Sequence, residues 1–146
     1  MDLSTFFVAW ICAILAMSAF SALLSQVFKI ELREQNLLAH LMATLKKSDP
    51  KQSPNVLKGW LVHFAFGLFF MIGYEILWYL TGFARTYGWS IIFGTGMGVV
   101  GVLGWIGMFR AHPNPPQLHF KFYYFQLVLA HIVFCVMATT VFKVLA

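Results

Sequence analysis

Four long apolar runs constrain this chain more than any other feature. No charged residue occurs over residues 6–28 or 89–109, and the runs over 56–81 and 118–144 hold only Lys58, Glu75, Lys121 and Lys143. A helix crosses the hydrocarbon core of a bilayer with about 20 apolar residues, so each run is long enough to span. Across the chain 60% of residues are hydrophobic and 10% are charged, whereas soluble domains carry roughly 25% charged residues. Helices so poor in charge lack the polar outer faces that water requires. The expected fold class is all-α: a polytopic membrane protein forming one membrane domain over residues 1–146, with four transmembrane helices at about 6–28, 56–81, 89–109 and 118–144.

The first run does not read as a signal peptide, because only Met-Asp-Leu-Ser-Thr precedes it and no basic residue stands there. Residues 30–47 change character. Leu37, Leu38, Leu41, Met42 and Leu45 fall on one helical stripe, with Glu34, Thr44 and Lys47 elsewhere, which predicts an amphipathic helix in the first loop. Residues 48–54 break the chain, and Ser53-Pro54 reads as a cap followed by a first-turn proline. His112-Pro113-Asn114-Pro115-Pro116 stiffens the third loop, which is expected either to dock a partner or to fold back over the bundle.

The net charge of +5 comes from basic residues gathered at segment ends, as expected of a chain meeting lipid head groups rather than nucleic acid. Lys29, Arg33, Lys46, Lys47, Lys51, Lys58, Arg110 and Lys121 flank loops one and three, against Arg85 and Lys143 on the opposite side. The excess predicts loops one and three in the cytoplasm and both termini outside. Trp10, Trp78, Tyr79, Tyr87 and Trp89 are expected in one interfacial belt, and Trp60, Trp105, Tyr123 and Tyr124 in the other. Cys12 and Cys135 lie in apolar runs without CxxC spacing and read as buried thiols.

Ala9, Ala13, Ala16 and Phe20 have the spacing of Gly94, Gly98, Gly101 and Trp105. Each set occupies one helix face, and small residues so placed let helices approach closely in lipid. Leu61-Val62-His63-Phe64-Ala65-Phe66 likewise resembles Leu129-Ala130-His131-Ile132-Val133-Phe134. The two matches suggest a helical hairpin duplicated in parallel about an axis along the membrane normal. Gly96-Met97-Gly98-Val99-Val100-Gly101 fits GxGxxG in letters only, since the dinucleotide fingerprint follows a strand.

His63 and His131 fall at equivalent positions inside the second and fourth spans, where a polar side chain faces a partner, a cavity or the bundle interior. Two roles compete for them: packing residues bonded to a neighbouring tyrosine, threonine or carbonyl, or a bis-imidazole haem site or proton relay. Gly67, Phe70 and Tyr74 share the face of His63, and Tyr124, Leu127 and Ala138 share that of His131. Glu75 is the acidic side chain deepest in a span, about 120 degrees around the helix from His63, and is a possible proton or cation site. Tyr74 and Tyr124 accompany it as binding or transport candidates. No Ser-His-Asp set, carboxylate cluster or metal-ligand spacing can be assembled from Asp2, Glu31, Glu34, Asp49 and Glu75, so no catalytic or metal residues are assigned.

Gly59-Trp60-Leu61-Val62-His63-Phe64-Ala65-Phe66-Gly67, Tyr74, His112-Pro113 with Pro115-Pro116, and His131 together resemble small bacterial inner-membrane proteins of the YagU-like type over the second to fourth spans. The resemblance implies a four-helix inner-membrane protein and carries no catalytic mechanism onto individual residues.

Three functions follow as expectations. The first is a non-enzymatic accessory subunit that self-associates or joins a larger membrane complex through the Ala9, Ala13, Ala16 and Gly94, Gly98, Gly101 faces. The second is a redox subunit holding haem or quinone between His63 and His131. The third is a proton-coupled channel or carrier that uses Glu75.

Overall fold

The computed structural model describes residues 2–45 and 53–145. Among them the chain forms five helices: α1 (Leu3–Phe28), α2 (Glu34–Thr44), α3 (Val56–Thr81), α4 (Tyr87–Ala111) and α5 (Phe120–Leu145). α1, α3, α4 and α5 are the long apolar ones. A helix of 26 residues, such as α1, is about 39 Å long and exceeds the roughly 30 Å hydrocarbon core. Their outer faces carry exposed apolar side chains, among them Leu61, Phe69, Ile72, Ile92 and Leu103. Water would oppose such a surface and lipid accepts it, so the chain is a four-span integral membrane protein.

The ends of the helices follow local chemistry. Gly82 closes α3 in the left-handed conformation (φ 63°), and its N–H donates to the Trp78 carbonyl. A Cβ there would meet nothing, so backbone conformation rather than space selects the glycine. Thr86 caps α4 by accepting from the Trp89 N–H. α3 is capped by Asn55, whose side chain accepts from the Lys58 N–H; the expected cap at Ser53 with Pro54 as first helical residue is therefore displaced by two residues. The remainder of the break expected over 48–54, up to residue 52, lies outside the described residues.

α5 is the spine, packing extensively on both α1 and α4. Gly94 and Gly98 make the α4 contact possible: an added Cβ would come within 2.7 Å of the Ile132 Cα or the Val128 Cα. Ala9 and Ala13 are fully buried and Ala16 is half-buried. By contrast α3 touches α1 little and α4 less, and leans chiefly on α2. The two hairpins of the suggested duplication thus pack differently.

α2 departs from the expected surface helix. Leu37, Leu38 and Leu41 are buried, but Met42 and Leu45 are exposed; Glu34, expected away from the apolar stripe, stands on it three, four and seven residues before those leucines and is 1% exposed. Close approach to α3 decides the rotation: a Cβ on Gly59 would lie 2.0 Å from the Gln35 carbonyl oxygen. The third loop folds back over this helix. His112 Nδ1 accepts from the Asn114 N–H at 3.0 Å, so Nε2 carries the hydrogen and donates to the Leu41 carbonyl at 2.8 Å. Asn114 Nδ2 donates to the Thr44 carbonyl, and two carbonyls of α2's last turn thereby gain the partners a helix end lacks.

Several aromatics expected at the interfaces turn inward. Trp78, Trp105 and Tyr123 are buried. Trp78 meets Tyr74 and Phe93 edge-on, and Trp105 does the same with Tyr123. Cys135 is buried beside the Met97 sulfur, whereas Cys12 is only half-buried, contrary to the reading of both as buried thiols.

Candidate functional site

His63 sits on the α3 face that also carries Gly59, Gly67, Met71 and Tyr74, a four-residue spacing that lines one side of a helix. His131 sits on the α5 face with Leu127, Phe134 and Ala138. Both imidazoles line a single cavity of about 500 Å³. α1 contributes Ile14 and Met17 to its wall, α2 contributes Glu34 and Leu38, and α4 contributes Gly101, Gly104 and Trp105. Phe66, Phe69 and Val100, which also border it, are exposed on the outer surface of the bundle. The cavity therefore opens sideways between α3 and α4, the loosely joined pair, toward the lipid.

The two histidines are held differently. His131 Nδ1 lies 2.8 Å from the Leu127 carbonyl. A carbonyl only accepts, so Nδ1 bears the hydrogen and Nε2 keeps its lone pair. The ring lies over Gly101, where an added Cβ would come within 2.8 Å of it, and meets the Phe70 ring edge-on at 4.7 Å. His63 Nε2 exchanges a hydrogen bond with Ser18 Oγ at 3.0 Å, and Trp60 flanks its ring. Serine, tryptophan and a backbone carbonyl thus fix both rings without neutralising charge.

Where the cavity meets α2 lies a third polar group. Ser21 Oγ donates to Glu34 Oε1 at 2.9 Å, and the Gln126 amide donates to Ser21 Oγ at 2.7 Å. Glu34 Oε2, Gln126 Oε1 and the Tyr123 hydroxyl are buried without a partner among the described residues. Desolvation pushes the Glu34 carboxyl up to about 7, although the hydrogen bonds from Ser21 and Gln126 pull it down and nearby Glu31 adds a push upward. Glu31 itself is desolvated too, but donors on Arg33 and Asn36 outweigh burial and hold it below the usual carboxylate range.

Other sequence candidates lie elsewhere. Glu75 is paired with Arg85, which folds back from the α3–α4 turn and also covers the rings of Trp78 and Phe142. It does not border the cavity. Tyr74 is buried, and its hydroxyl joins Ser90, Thr139 and the Cys135 carbonyl in a hydrogen-bonded knot tying α3 to α4 and α5. Tyr124 is half-buried and packs on Phe120 and Tyr123. Within GxGxxG, Gly98 and Gly101 abut α5 side chains and Gly96 faces open space.

The sequence singles out both histidines without showing that they share a cavity, and it leaves Glu34, Ser18, Ser21 and Gln126 unmarked as site residues. A signal was present: Ser18, Ser21 and Ser25 recur at steps of three and four inside an apolar span, marking one polar stripe on α1. No family model matches the chain, and no curated protein or solved structure matches it either.

Proposed function

We propose that this membrane protein binds a neutral, lipid-soluble ring compound of the quinone class in the cavity between His63 and His131, as a subunit of a larger membrane assembly. The lateral opening of that cavity onto lipid, with both imidazoles in its wall, is the observation that carries the reading. A cavity of this size is within the range that holds small organic ligands. Among the described residues its wall holds no lysine or arginine, which disfavours an anion. His131 Nε2 offers an acceptor to a hydroxyl group. In the His63 tautomer whose Nε2 accepts from Ser18, the other ring nitrogen donates to a carbonyl.

A second reading, haem between the same histidines, draws support from His131, because a ring whose Nδ1 is tied to a carbonyl presents Nε2 as a metal ligand. It fits less well. His63 Nε2 is engaged by Ser18, and the two carboxylates of a protoporphyrin would find no cation in the wall among the described residues. Attachment to a partner falls to surfaces other than the Gly94 and Gly98 face, which α5 already fills within the chain. The basic flanks support an orientation in a bacterial inner membrane with loops one and three in the cytoplasm and both termini outside.

The test uses purified protein in lipid nanodiscs and two optical measurements. A short-chain benzoquinone is expected to quench tryptophan fluorescence saturably, since Trp105 borders the cavity, and His131→Ala should weaken that binding about tenfold. Non-saturable quenching equal in both proteins would refute the quinone site. A Soret band that shifts on dithionite reduction and vanishes in His131→Ala would replace it with haem.

A further inference from the structure

We propose that ligand occupancy of the cavity is linked to one proton carried by Glu34, whose neutral acid donates a hydrogen bond to an oxygen of the bound quinone-class compound. The inference rests on the ligand reading above and adds the group that makes binding depend on pH.

Glu34 is 1% exposed and forms part of the cavity wall. Its Oε1 is already the acceptor for Ser21, while Oε2 has no partner among the described residues. A carboxylate oxygen with unmet lone pairs against apolar side chains is costly, and protonation converts it into a donor. No cation among the described residues relieves the charge. α1 presents Ser21, α5 presents Gln126 and Tyr123, and Glu31 adds like charge, while His63, His131, Trp105 and Met108 stand elsewhere in the wall of the same cavity. Arg33, the nearest basic residue along the chain, is engaged by Glu31 at 2.7 Å. Gln126 Oε1 and the Tyr123 hydroxyl, behind the wall rather than in it, are likewise without partners among the described residues, so no neighbouring side chain there takes up the charge of Glu34. The desolvation that raises the carboxyl to about 7 places the exchange in the physiological range.

Linkage sets the sign. If the protonated form binds, affinity is constant at low pH and falls by about tenfold per pH unit above the carboxyl pKa, while saturating ligand raises that pKa in return. Glu34→Gln keeps a donor of similar shape and abolishes the titration.

The experiment follows quenching by the short-chain benzoquinone from about pH 6 to about pH 9 and, separately, the infrared carbonyl band of a protonated carboxylic acid in ligand-free protein over the same range. Expected are a wild-type affinity that declines through the upper half of the range, a flat profile in Glu34→Gln, and an acid band that titrates in wild type and is missing from the variant. An unchanged pH profile in Glu34→Gln overturns the linkage. Absence of any titrating acid band from wild type overturns the assignment of the proton, whatever the quinone does. Saturable quenching absent at every pH removes the ligand reading and the linkage with it, while the band still reports on Glu34 alone. Ser21→Ala provides a second arm that leaves the carboxyl in place: losing this donor to the carboxylate should move both the band and the binding profile to higher pH, and the absence of any shift counts against the proposal.

Discussion

At the scale of single residues, the buried polar groups decide what the bundle can do, and Glu34 has the largest consequence. Its carboxyl is raised in the folded state to about 7 from the ordinary glutamate value of 4.5, so the native protein holds more protons than the unfolded chain between those values. Stability from this group is complete below the unfolded pKa and is lost as pH rises through the folded one. Thermal unfolding in nanodiscs should therefore show a midpoint that falls from about pH 5 to about pH 8, by at most about 3 kcal/mol, with the slope absent in Glu34→Gln. Gly101 gives a second case. Its missing side chain is the seat of the His131 ring, and a methyl there would lie 2.8 Å from the ring. Gly101→Ala should displace the imidazole at a cost of about 1–3 kcal/mol and weaken quinone quenching more than it lowers the unfolding midpoint. His63 and His131 were legible in the sequence because a polar ring inside an apolar span is conspicuous. Glu34 was passed over because a carboxylate is expected in water, although at 100° per residue it stands on the same stripe as Leu37, Leu38 and Leu41, the face that packs inward.

At the scale of elements, hydropathy marked the four spans because lipid demands long helices poor in charge, and their limits agree with the observed ones to within about two or three residues. α2 was legible as a helix but not in its docking. Its contact with α3 rests on a backbone-to-backbone approach at Gly59, and its last carbonyls are held by His112 and Asn114 from the third loop. Neither contact follows from periodicity. Gly59→Ala should undock α2, since the methyl would lie 2.0 Å from the Gln35 carbonyl and no flexible side chain can yield there. Limited proteolysis is the measurement: cleavage within α2 should accelerate several-fold, while the four spans stay protected. Wild-type protection of α2 in Gly59→Ala would mean that the helix shifts as a body without loss. His112→Ala should have a weaker effect in the same direction, because it removes one hydrogen bond of about 1 kcal/mol.

At the scale of the whole molecule, the distribution of packing separates a rigid part from a loose one. α1, α4 and α5 form a tight unit, whereas α3 is joined to α4 by little more than the short turn between them and the Tyr74 knot near that end. Sequence patterning could not distinguish these parts, because the small-residue faces of α1 and α4 look alike and only the packed chain shows that α4 spends its face on α5. The cavity occupies the gap left by this asymmetry, which makes the α3–α4 seam its natural passage to lipid. Gly104 borders the cavity, and a Cβ there would meet no other atom within 4 Å. Gly104→Phe should start its side chain in open space and add helix propensity worth up to about 1 kcal/mol, so the unfolding midpoint is expected to hold or rise. Its ring would occupy the passage, and quinone quenching should fall at least tenfold. Stability and binding moving in opposite directions is the outcome that a blocked lateral passage requires. If binding survives in a stable Gly104→Phe protein, ligand reaches the histidines by another route, and the seam between α3 and α4 is only a packing defect.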